Sequence, residues 1–250
     1  MSAPHFLVDR EILTGSAYRL APETSHHAIR VLRMRVGDEI TLTSGTEHGW
    51  FIVGRIIDAD PTGVLVEEVT TIRHPKREPR ITVAFALTKG AKPEFTVEKL
   101  TELGVDRIIP WNSARSIVDW DERKRAQHGD RMRATAISAL QQSRRAHLPE
   151  VLDPVPSLAT LRTLLEGDTV ITFDRDATDE LPADFERPTT LVIGPEGGLT
   201  DEELRAFAGP VVRILDDGVL RAETAAIAAA ALVLDRRNRG WLQHRRDKLG

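Results

Sequence analysis

A glycine-rich pentapeptide between a strand pattern and a helix pattern constrains the fold of this chain most. The apolar residues 191–193 are too few for a helix, and they stop at Gly194-Pro195-Glu196-Gly197-Gly198. Thr200 and Glu203 have the spacing of a capping box, which predicts a helix over 200–208. A strand therefore leads through this loop into a helix, either as an ordinary tight turn or as a loop whose backbone a ligand can approach closely.

The charges around this loop argue against a phosphate as the ligand. Asp201, Glu202 and Glu203 form the first helical turn, and Glu196 lies inside the loop. A phosphate site would require bare amides with a Lys or Arg nearby, and the sequence contains neither GxGxxG nor GxxxxGK[ST]. The missing GxGxxG pattern also argues against a dinucleotide-dependent oxidoreductase. The acidic residues instead suit a ligand with a positive charge.

Composition narrows the class of protein. A chain of 250 residues can form one large domain or two, and we favour two. The sequence has no apolar run near 18 residues and no signal-peptide pattern, so we expect a cytoplasmic protein without a membrane span. It has no cysteine, which excludes disulfides and Cys-ligated metals. Because His26 and His27 lack partners at ligand spacing, we expect no metal site.

The order of strand and helix patterns predicts two domains of different class. Residues 1–72 contain short β-runs and one helix over about 24–35 closed by Gly37, which predicts a small barrel or curled sheet. Residues 73–80 are polar, contain two prolines and read as a linker. In residues 81–250 strands alternate with helices, which predicts an α/β domain with a mostly parallel sheet. Its helices are expected at about 94–103, 121–146, 157–166, 200–208 and 224–238.

Charge is distributed unevenly along the chain. The net charge is −4 for residues 1–72, +6 for residues 73–150 and −6 for residues 151–250. A basic segment is commonly a solvated face, but it is also where a polyanion would bind. The acidic last third suits a ligand with a cationic end, such as a sulfonium.

Five motifs in a fixed order resemble one enzyme family. They are the GPEGGLTDEEL of residues 194–204; the LRAETAA of residues 220–226; His27 with Arg30-Val31-Leu32-Arg33 and Val36-Gly37-Asp38; Lys89-Gly90 with Lys92, Lys99 and the TELGV of residues 101–105; and Arg115-Ser116. Over nearly its whole length the chain resembles the SPOUT class of S-adenosylmethionine-dependent RNA methyltransferases. Within that class it is most similar to the family that methylates N3 of a uridine in small-subunit ribosomal RNA.

The resemblance implies a fold, a cofactor and partners. The fold is a PUA-like β-barrel domain followed by a SPOUT domain with a trefoil knot, and the cofactor is S-adenosylmethionine. The substrate is 16S ribosomal RNA or the small ribosomal subunit, and the protein is a homodimer. The alanine-rich residues 225–231 would lie at the dimer interface, although by composition alone they could equally pack inside one chain.

A methyl donor site follows from the same resemblance. Relative to the family, Asp216 replaces a usual glycine and Gly218 replaces a residue that is often basic. The residues expected to bind the donor are Phe173, Ile193, Gly194, Pro195, Glu196, Gly197, Gly198, Leu215, Gly218, Val219, Leu220 and Thr224.

Two residues are candidates for catalysis. Arg221 is expected to stabilise the anion that develops on uracil, although an Arg before a helix is often only a surface ion pair. Glu223 could be a base, but a Glu at a helix start is also explained by the helix dipole, so the base stays unassigned. Because the chain has no Cys thiolate to attack C6 of a pyrimidine, a base nitrogen is the favoured methyl acceptor.

The RNA is expected to meet basic and polar residues of both domains. In the first domain, Arg30 and Arg33 are three positions apart and should share one helix face. The complete expected set is Arg30, Arg33, Arg35, Lys89, Lys92, Arg115, Gln142, Ser143, Arg144 and Arg145. Two alternatives remain open: a ribose 2′-O-methyltransferase of the same class, and a non-catalytic RNA-binding assembly factor.

Overall fold

The computed structural model describes residues 3–8, 17–60, 63–89, 92–118, 120–214 and 218–247. These residues form two compact units. The first comprises Met1–Lys76 together with Leu140–Leu148, and the second comprises Arg77–Ala139 together with Pro149–Gly250. The finer division into residues 1–72, a linker and residues 81–250 stays a prediction.

The first unit contains a five-stranded sheet. Its strands are β1 (His5–Leu7), β2 (Ala17–Arg19), β3 (Glu39–Thr43), β4 (Trp50–Asp60) and β5 (Gly63–Arg73), in the spatial order β1-β3-β4-β5-β2. β1 runs parallel to β3, and the other neighbours are antiparallel. Ile40, Leu42, Ile56, Val64 and Val66 are fully buried, because the period of two along each strand turns alternate side chains into the core.

The helix of the first unit is shorter than predicted. Helix α1 spans Pro22–His26 and continues as a π-helical turn over His27–Val31. The predicted extension to about residue 35 is wrong, because Arg33 has a φ of +56° and this left-handed conformation ends the helix. Gly37, expected to close the helix, instead donates its amide to the Ile56 carbonyl at 2.8 Å in the turn into β3.

The second unit contains a six-stranded sheet with only parallel pairings. Its strands are β6 (Ile81–Ala86), β7 (Arg107–Trp111), β8 (Glu150–Val151), β9 (Thr169–Phe173), β10 (Thr189–Ile193) and β11 (Val211–Val212). Their spatial order is β11-β9-β10-β6-β7-β8. All six residues of β6 are buried, as expected for a central strand covered on both faces.

Helices join most of these strands, as the alternating pattern predicted. They are α2 (Lys92–Leu103), α3 (Glu122–Ser143), α4 (Leu158–Leu164), α5 (Asp201–Ala206) and α6 (Ala222–Asp247). Ser157 caps α4, and Thr200 caps α5 in the predicted capping box with Glu203. The predicted end of α3 near residue 146 is wrong, because Arg144 has a φ of +55° and ends the helix as Arg33 ends the first one.

The alanine-rich part of α6 is packed inside the second unit. Ala226, Ala229 and Ala230 are fully buried, and α6 contacts α2, β6 and β10. Small side chains allow the helix axis to approach the sheet and α2 closely. The expectation that these alanines form a dimer interface is therefore wrong for the buried ones, because their side chains are covered by the same chain.

No helix in the described part of the chain combines the length and the apolar composition that a membrane crossing requires.

Candidate functional site

A cleft opens at the carboxyl ends of three neighbouring strands of the second unit. Ile193 at the end of β10 is paired with Phe173 at the end of β9, and Phe173 is paired with Val212 at the end of β11. All three residues line the cleft. Parallel α/β sheets place ligand sites at this edge, because the loops that leave the strands converge there.

The cleft has the volume of a small-molecule site, about 600 Å³. Leu215 lies outside the described residues. Thr224 was expected at the donor but does not line the cleft. Ala222 and Ala225, which are three positions apart on α6 and share one face of it, line the cleft instead. Of the residues expected to bind the donor, those lining the cleft are Phe173, Ile193, Gly194, Pro195, Glu196, Gly197, Gly198, Gly218, Val219 and Leu220.

Arg115 lines the cleft and binds the backbone of the glycine-rich loop. The loop turns sharply, with the Gly198 amide donating to the Pro195 carbonyl at 2.8 Å. The guanidinium of Arg115 donates from Nη1 to the Gly197 carbonyl at 2.8 Å and to the Leu199 carbonyl at 3.2 Å. Arg115 was predicted to contact RNA. The structure places it on the wall of the cleft, where it positions the loop backbone.

Glu203 joins the same loop to the segment that carries Arg115. Its side chain is buried, and Oε2 accepts from the amide and the hydroxyl of Thr200, at 2.8 and 3.1 Å. Oε1 accepts from the amide of Ala114 at 2.7 Å. The capping box was visible in the sequence. The hydrogen bond between Glu203 and Ala114 was not, because the two residues are 89 positions apart along the chain.

Among the described residues, four acidic and three basic side chains line the cleft. Asp174, Asp176, Glu196 and Asp201 line it beside Arg115, Arg175 and Arg213. We did not predict Asp174 or Asp176, although both follow the carboxyl end of β9. A strand prediction that ends at Phe173 was the signal that could have identified them.

Lys92 lies between two carboxylates of different segments. Its Nζ donates to Glu196 Oε1 at 2.8 Å and lies 3.7 Å from Glu223 Oε2. The hydrogen bond from Lys92 holds the pKa of Glu196 below its usual value, and the same bond raises the pKa of Lys92. Lys92 was expected to contact RNA away from the donor loop. That separation is wrong, because its ammonium is bound to the loop itself.

The catalytic candidates lie beside this pair. Glu223 is in the first turn of α6, and 13% of its side chain is exposed. Arg221 directly precedes α6 and is exposed. Within the described ranges, none of the ion pairs involves Arg221.

The arginines expected to bind RNA in the first unit are exposed. Arg30, Arg33 and Arg35 all face solvent. The prediction that Arg30 and Arg33 share a helix face is wrong, since Arg30 lies in the π-helical turn and Arg33 lies beyond its end with a positive φ. Arg30 therefore lies on the π-helical turn, and Arg33 and Arg35 lie in the segment between that turn and β3.

The remaining RNA candidates differ in their availability. Lys89 and Gln142 are exposed, whereas Ser143, Arg144 and Arg145 are half-buried. The guanidinium of Arg144 donates to the Ala3 carbonyl, and the carbonyl of Arg145 accepts from His5 Nε2 at 3.1 Å. Arg144 is thus engaged within its own unit, which leaves Lys89 and Gln142 as the more accessible members of this group.

Two protein-family profiles match the chain. A profile described as the RNA methyltransferase domain matches residues 75–234, and one described as the RNA methyltransferase PUA domain matches residues 20–69. The glycine-rich loop and the strand ends of the cleft lie within the first match.

Curated and solved relatives extend over almost the whole chain. The ribosomal RNA small subunit methyltransferase E of Mycobacterium bovis is 33% identical, with 93% of this chain and 92% of that protein covered. A methyltransferase from Legionella pneumophila in complex with the bound cofactor SAM is 29% identical, with a TM-score of 0.80 and 93% and 97% covered. The ribosomal RNA small subunit methyltransferase E from Neisseria gonorrhoeae, bound to S-adenosyl methionine, is 27% identical, with a TM-score of 0.80 and 92% and 96% covered.

Proposed function

The chain belongs to the RNA methyltransferase family matched over residues 75–234, and from that premise we propose that it uses S-adenosylmethionine to methylate N3 of a uridine in small-subunit ribosomal RNA. The family resemblance read from the five sequence motifs is confirmed, as is the fold class of a PUA-like domain followed by an α/β methyltransferase domain. The observation that carries the proposal is the cleft at the ends of β9, β10 and β11, which is lined by the loop Gly194-Pro195-Glu196-Gly197-Gly198.

The residues present fit a cationic methyl donor. A cleft of about 600 Å³ can enclose a ligand of this size. Asp174 and Asp176 would provide negative charge for the sulfonium and ammonium groups of the donor, whereas Glu196 is already paired with Lys92. A Cβ atom at Gly197 would meet only Arg115, at the ordinary contact distance of 3.5 Å, so the fold leaves room for a Cβ atom on this side of the cleft.

The residues of the chain itself have two tasks in this reaction: to align the acceptor nitrogen with the methyl group and to favour loss of its proton. The donor supplies an activated methyl group, so the transfer needs an acceptor nitrogen that is aligned and deprotonated rather than a covalent intermediate. Arg221, exposed and without an ion pair among the described residues, provides the positive charge that stabilises the uracil anion. Glu223 follows two positions later, in the first turn of α6, and we leave the acceptor of the N3 proton unassigned.

The exposed arginines of the first unit provide the RNA contacts in this proposal. Arg30, Arg33 and Arg35 can each neutralise a phosphate, and Lys89 and Gln142 add polar contacts from other parts of the chain. With ribosomal RNA as the substrate, we place the enzyme in the cytoplasm.

A homodimer completes the proposal. Because Ala226, Ala229 and Ala230 are buried in one chain, a second copy would meet the opposite face of α6, where Thr224 and Leu232 are exposed. Leu232→Arg should then give a monomer by light scattering, and an intact dimer would remove this face from the interface.

The test of this function is a methylation assay. The purified protein is incubated with labelled S-adenosylmethionine and either 16S ribosomal RNA or small ribosomal subunits. Nuclease digestion and mass analysis should yield N3-methyluridine. A 2′-O-methylated nucleotide would instead support a ribose methyltransferase. Absence of donor binding by calorimetry would support a non-catalytic assembly factor.

A further inference from the structure

The ion pairs around Lys92 connect three segments of the second unit. Lys92 is the first residue of α2, Glu196 belongs to the loop after β10, and Glu223 belongs to the first turn of α6. The Nζ atom lies 2.8 Å from Glu196 and 3.7 Å from Glu223. One ammonium therefore serves two carboxylates.

Arg221 is the second cation of this cluster. Its charge acts on both Lys92 and Glu196, lowering the pKa of each, although the hydrogen bond between Lys92 and Glu196 has the larger effect on both. The cluster thus contains two cations and two anions, but within the described residues the close ion pairs are made by Lys92 alone.

We propose that Lys92 is a positioning residue that neutralises Glu196 and Glu223 and so keeps the guanidinium of Arg221 available to the methyl acceptor. This inference rests on the proposed function, because it assigns Lys92 a role in the same reaction. It replaces the expectation that Lys92 binds an RNA phosphate.

Without Lys92, the carboxylates of the protein and the substrate would compete for the guanidinium of Arg221. Glu223 Oε2 is buried and accepts no hydrogen bond among the described residues, so it depends on a nearby cation. If Lys92 were removed, two carboxylates would remain with Arg221 as the nearest cation in the cluster. Arg221 has a long, flexible side chain and would turn towards them. Its guanidinium would then form ion pairs within the protein and would no longer be available to the substrate.

The chain contains a matched control for this pairing. Lys99 lies on the same helix and also bridges two carboxylates, with Nζ 2.7 Å from Glu98 and 2.8 Å from Glu102. The two lysine side chains have similar exposure, 35% for Lys92 and 31% for Lys99. Neither Glu98 nor Glu102 lines the cleft. Lys99→Ala therefore removes an equivalent ion pair without affecting Arg221.

The first measurement does not require activity. In the ¹⁵N NMR spectrum of the free protein, the Nε–H signal of Arg221 reports whether its guanidinium is held in an ion pair. We expect Lys92→Ala to shift this signal and slow its exchange with water, and Lys99→Ala to leave it unchanged. An unchanged Arg221 signal in Lys92→Ala would overturn the inference, whether or not the protein methylates RNA.

The second measurement is a double-mutant cycle in single-turnover methylation. Lys92→Ala should slow turnover on the order of tenfold in the wild-type background, and it should have little further effect in the Arg221→Ala background. Lys92→Arg should recover most of the loss. Additive effects of the two substitutions would overturn the inference, as would a loss of RNA affinity in Lys92→Ala without a change in turnover at saturating RNA. An inactive wild-type protein would refute the proposed function, and the NMR result would still decide the role of Lys92.

Discussion

The cleft at the ends of β9, β10 and β11 and the segment 30–36 both carry basic side chains, but these side chains differ in whether they have partners. At the cleft, Lys92 is bound to Glu196, and Arg115 is bound to the carbonyls of Gly197 and Leu199. In the segment 30–36, the side chains of Arg30 and Arg33 are exposed, and no salt bridge among the described residues involves either one.

Charged side chains with partners and charged side chains without partners have different functions. Charges with fixed partners hold a loop or a helix start in one geometry before a ligand arrives, which is what an oriented transfer reaction needs. Charges without partners remain solvated and can be neutralised by a polyanion, whose binding then depends strongly on salt. Substitutions in the cleft should therefore change donor binding or turnover, and substitutions in the segment 30–36 should change the salt dependence of RNA binding.

The three glycines of the cleft loop differ in the space and the backbone conformation that a side chain would meet. A Cβ atom at Gly194 would lie 3.0 Å from Leu199 Cγ and 3.2 Å from the Leu199 backbone nitrogen, so it would crowd Leu199. Gly198 has a φ of +72°, which favours glycine whatever the space around it. At Gly197 neither restriction applies, because a Cβ would meet only Arg115 at 3.5 Å. The fold itself therefore does not need a glycine at 197, and a substitution there tests the proposed donor site.

The largest expected effect is that of Gly197→Val. We predict that the variant folds with nearly wild-type stability but binds S-adenosylmethionine more than about 100-fold more weakly, because a branched side chain occupies the space of the donor. Calorimetric titration and thermal unfolding measure the two quantities. Gly194→Ala is the control: because its Cβ atom would crowd Leu199, this variant should lose stability, unlike Gly197→Val. If Gly197→Val binds the donor normally, the cleft is not the donor site.

Arg221→Ala is expected to have the next largest effect. Removal of a positioned charge from a developing anion typically slows turnover about 100-fold, with a smaller effect on donor binding. Arg221→Lys should not restore the rate, because a point charge does not replace the planar guanidinium. Single-turnover kinetics at saturating donor provide the test, and a fully active Arg221→Ala enzyme would exclude the proposed role.

Acid should weaken the first unit through His5. Burial lowers the pKa of His5 to about 4 from 6.5, with a further lowering by Arg144. The side chain is bonded to Thr41 Oγ1 and to the Arg145 carbonyl, so the folded unit keeps the neutral form while the unfolded chain binds a proton below pH 6.5. Stability present above that pH is then lost as the pH falls, by about 2 kcal/mol between pH 7 and pH 5.

Chemical denaturation at pH 7 and pH 5 measures this loss. His5→Gln retains hydrogen-bonding groups without a titrating ring, and it should remove most of the pH dependence. An equal dependence in wild type and His5→Gln would show that other groups destabilise the unit in acid.

Local patterns predicted much of the second unit. The capping box of Thr200 and Glu203 and the glycine-rich loop after β10 were visible in the sequence, because they depend on residues a few positions apart. The alternation of strands and helices then predicted the parallel sheet and the edge on which the cleft lies.

Features that depend on distant residues were not predictable in this way. The bond between Lys92 and Glu196 joins segments 104 positions apart, and the buried face of α6 is determined by its contacts with α2 and the sheet. The helix ends at Arg33 and Arg144 were missed for another reason. Both residues adopt a left-handed conformation that a non-glycine residue rarely takes, so the sequence contained no signal to end the helix there.

The smallest expected effect tests the segment 30–36 and uses this unusual backbone. Arg33 has a φ of +56°, a conformation that costs an L-residue about 1 kcal/mol and costs glycine almost nothing. Arg33→Gly should therefore raise the stability of the first unit by roughly that amount. The same substitution removes one phosphate contact, so the slope of log affinity for RNA against log salt should become shallower by about 0.7 to 0.9. Arg33→Lys keeps the charge and should retain the slope. A more stable Arg33→Gly protein with an unchanged slope would show that Arg33 contacts no phosphate, and the assignment of the exposed arginines to RNA would then rest on Arg30 and Arg35.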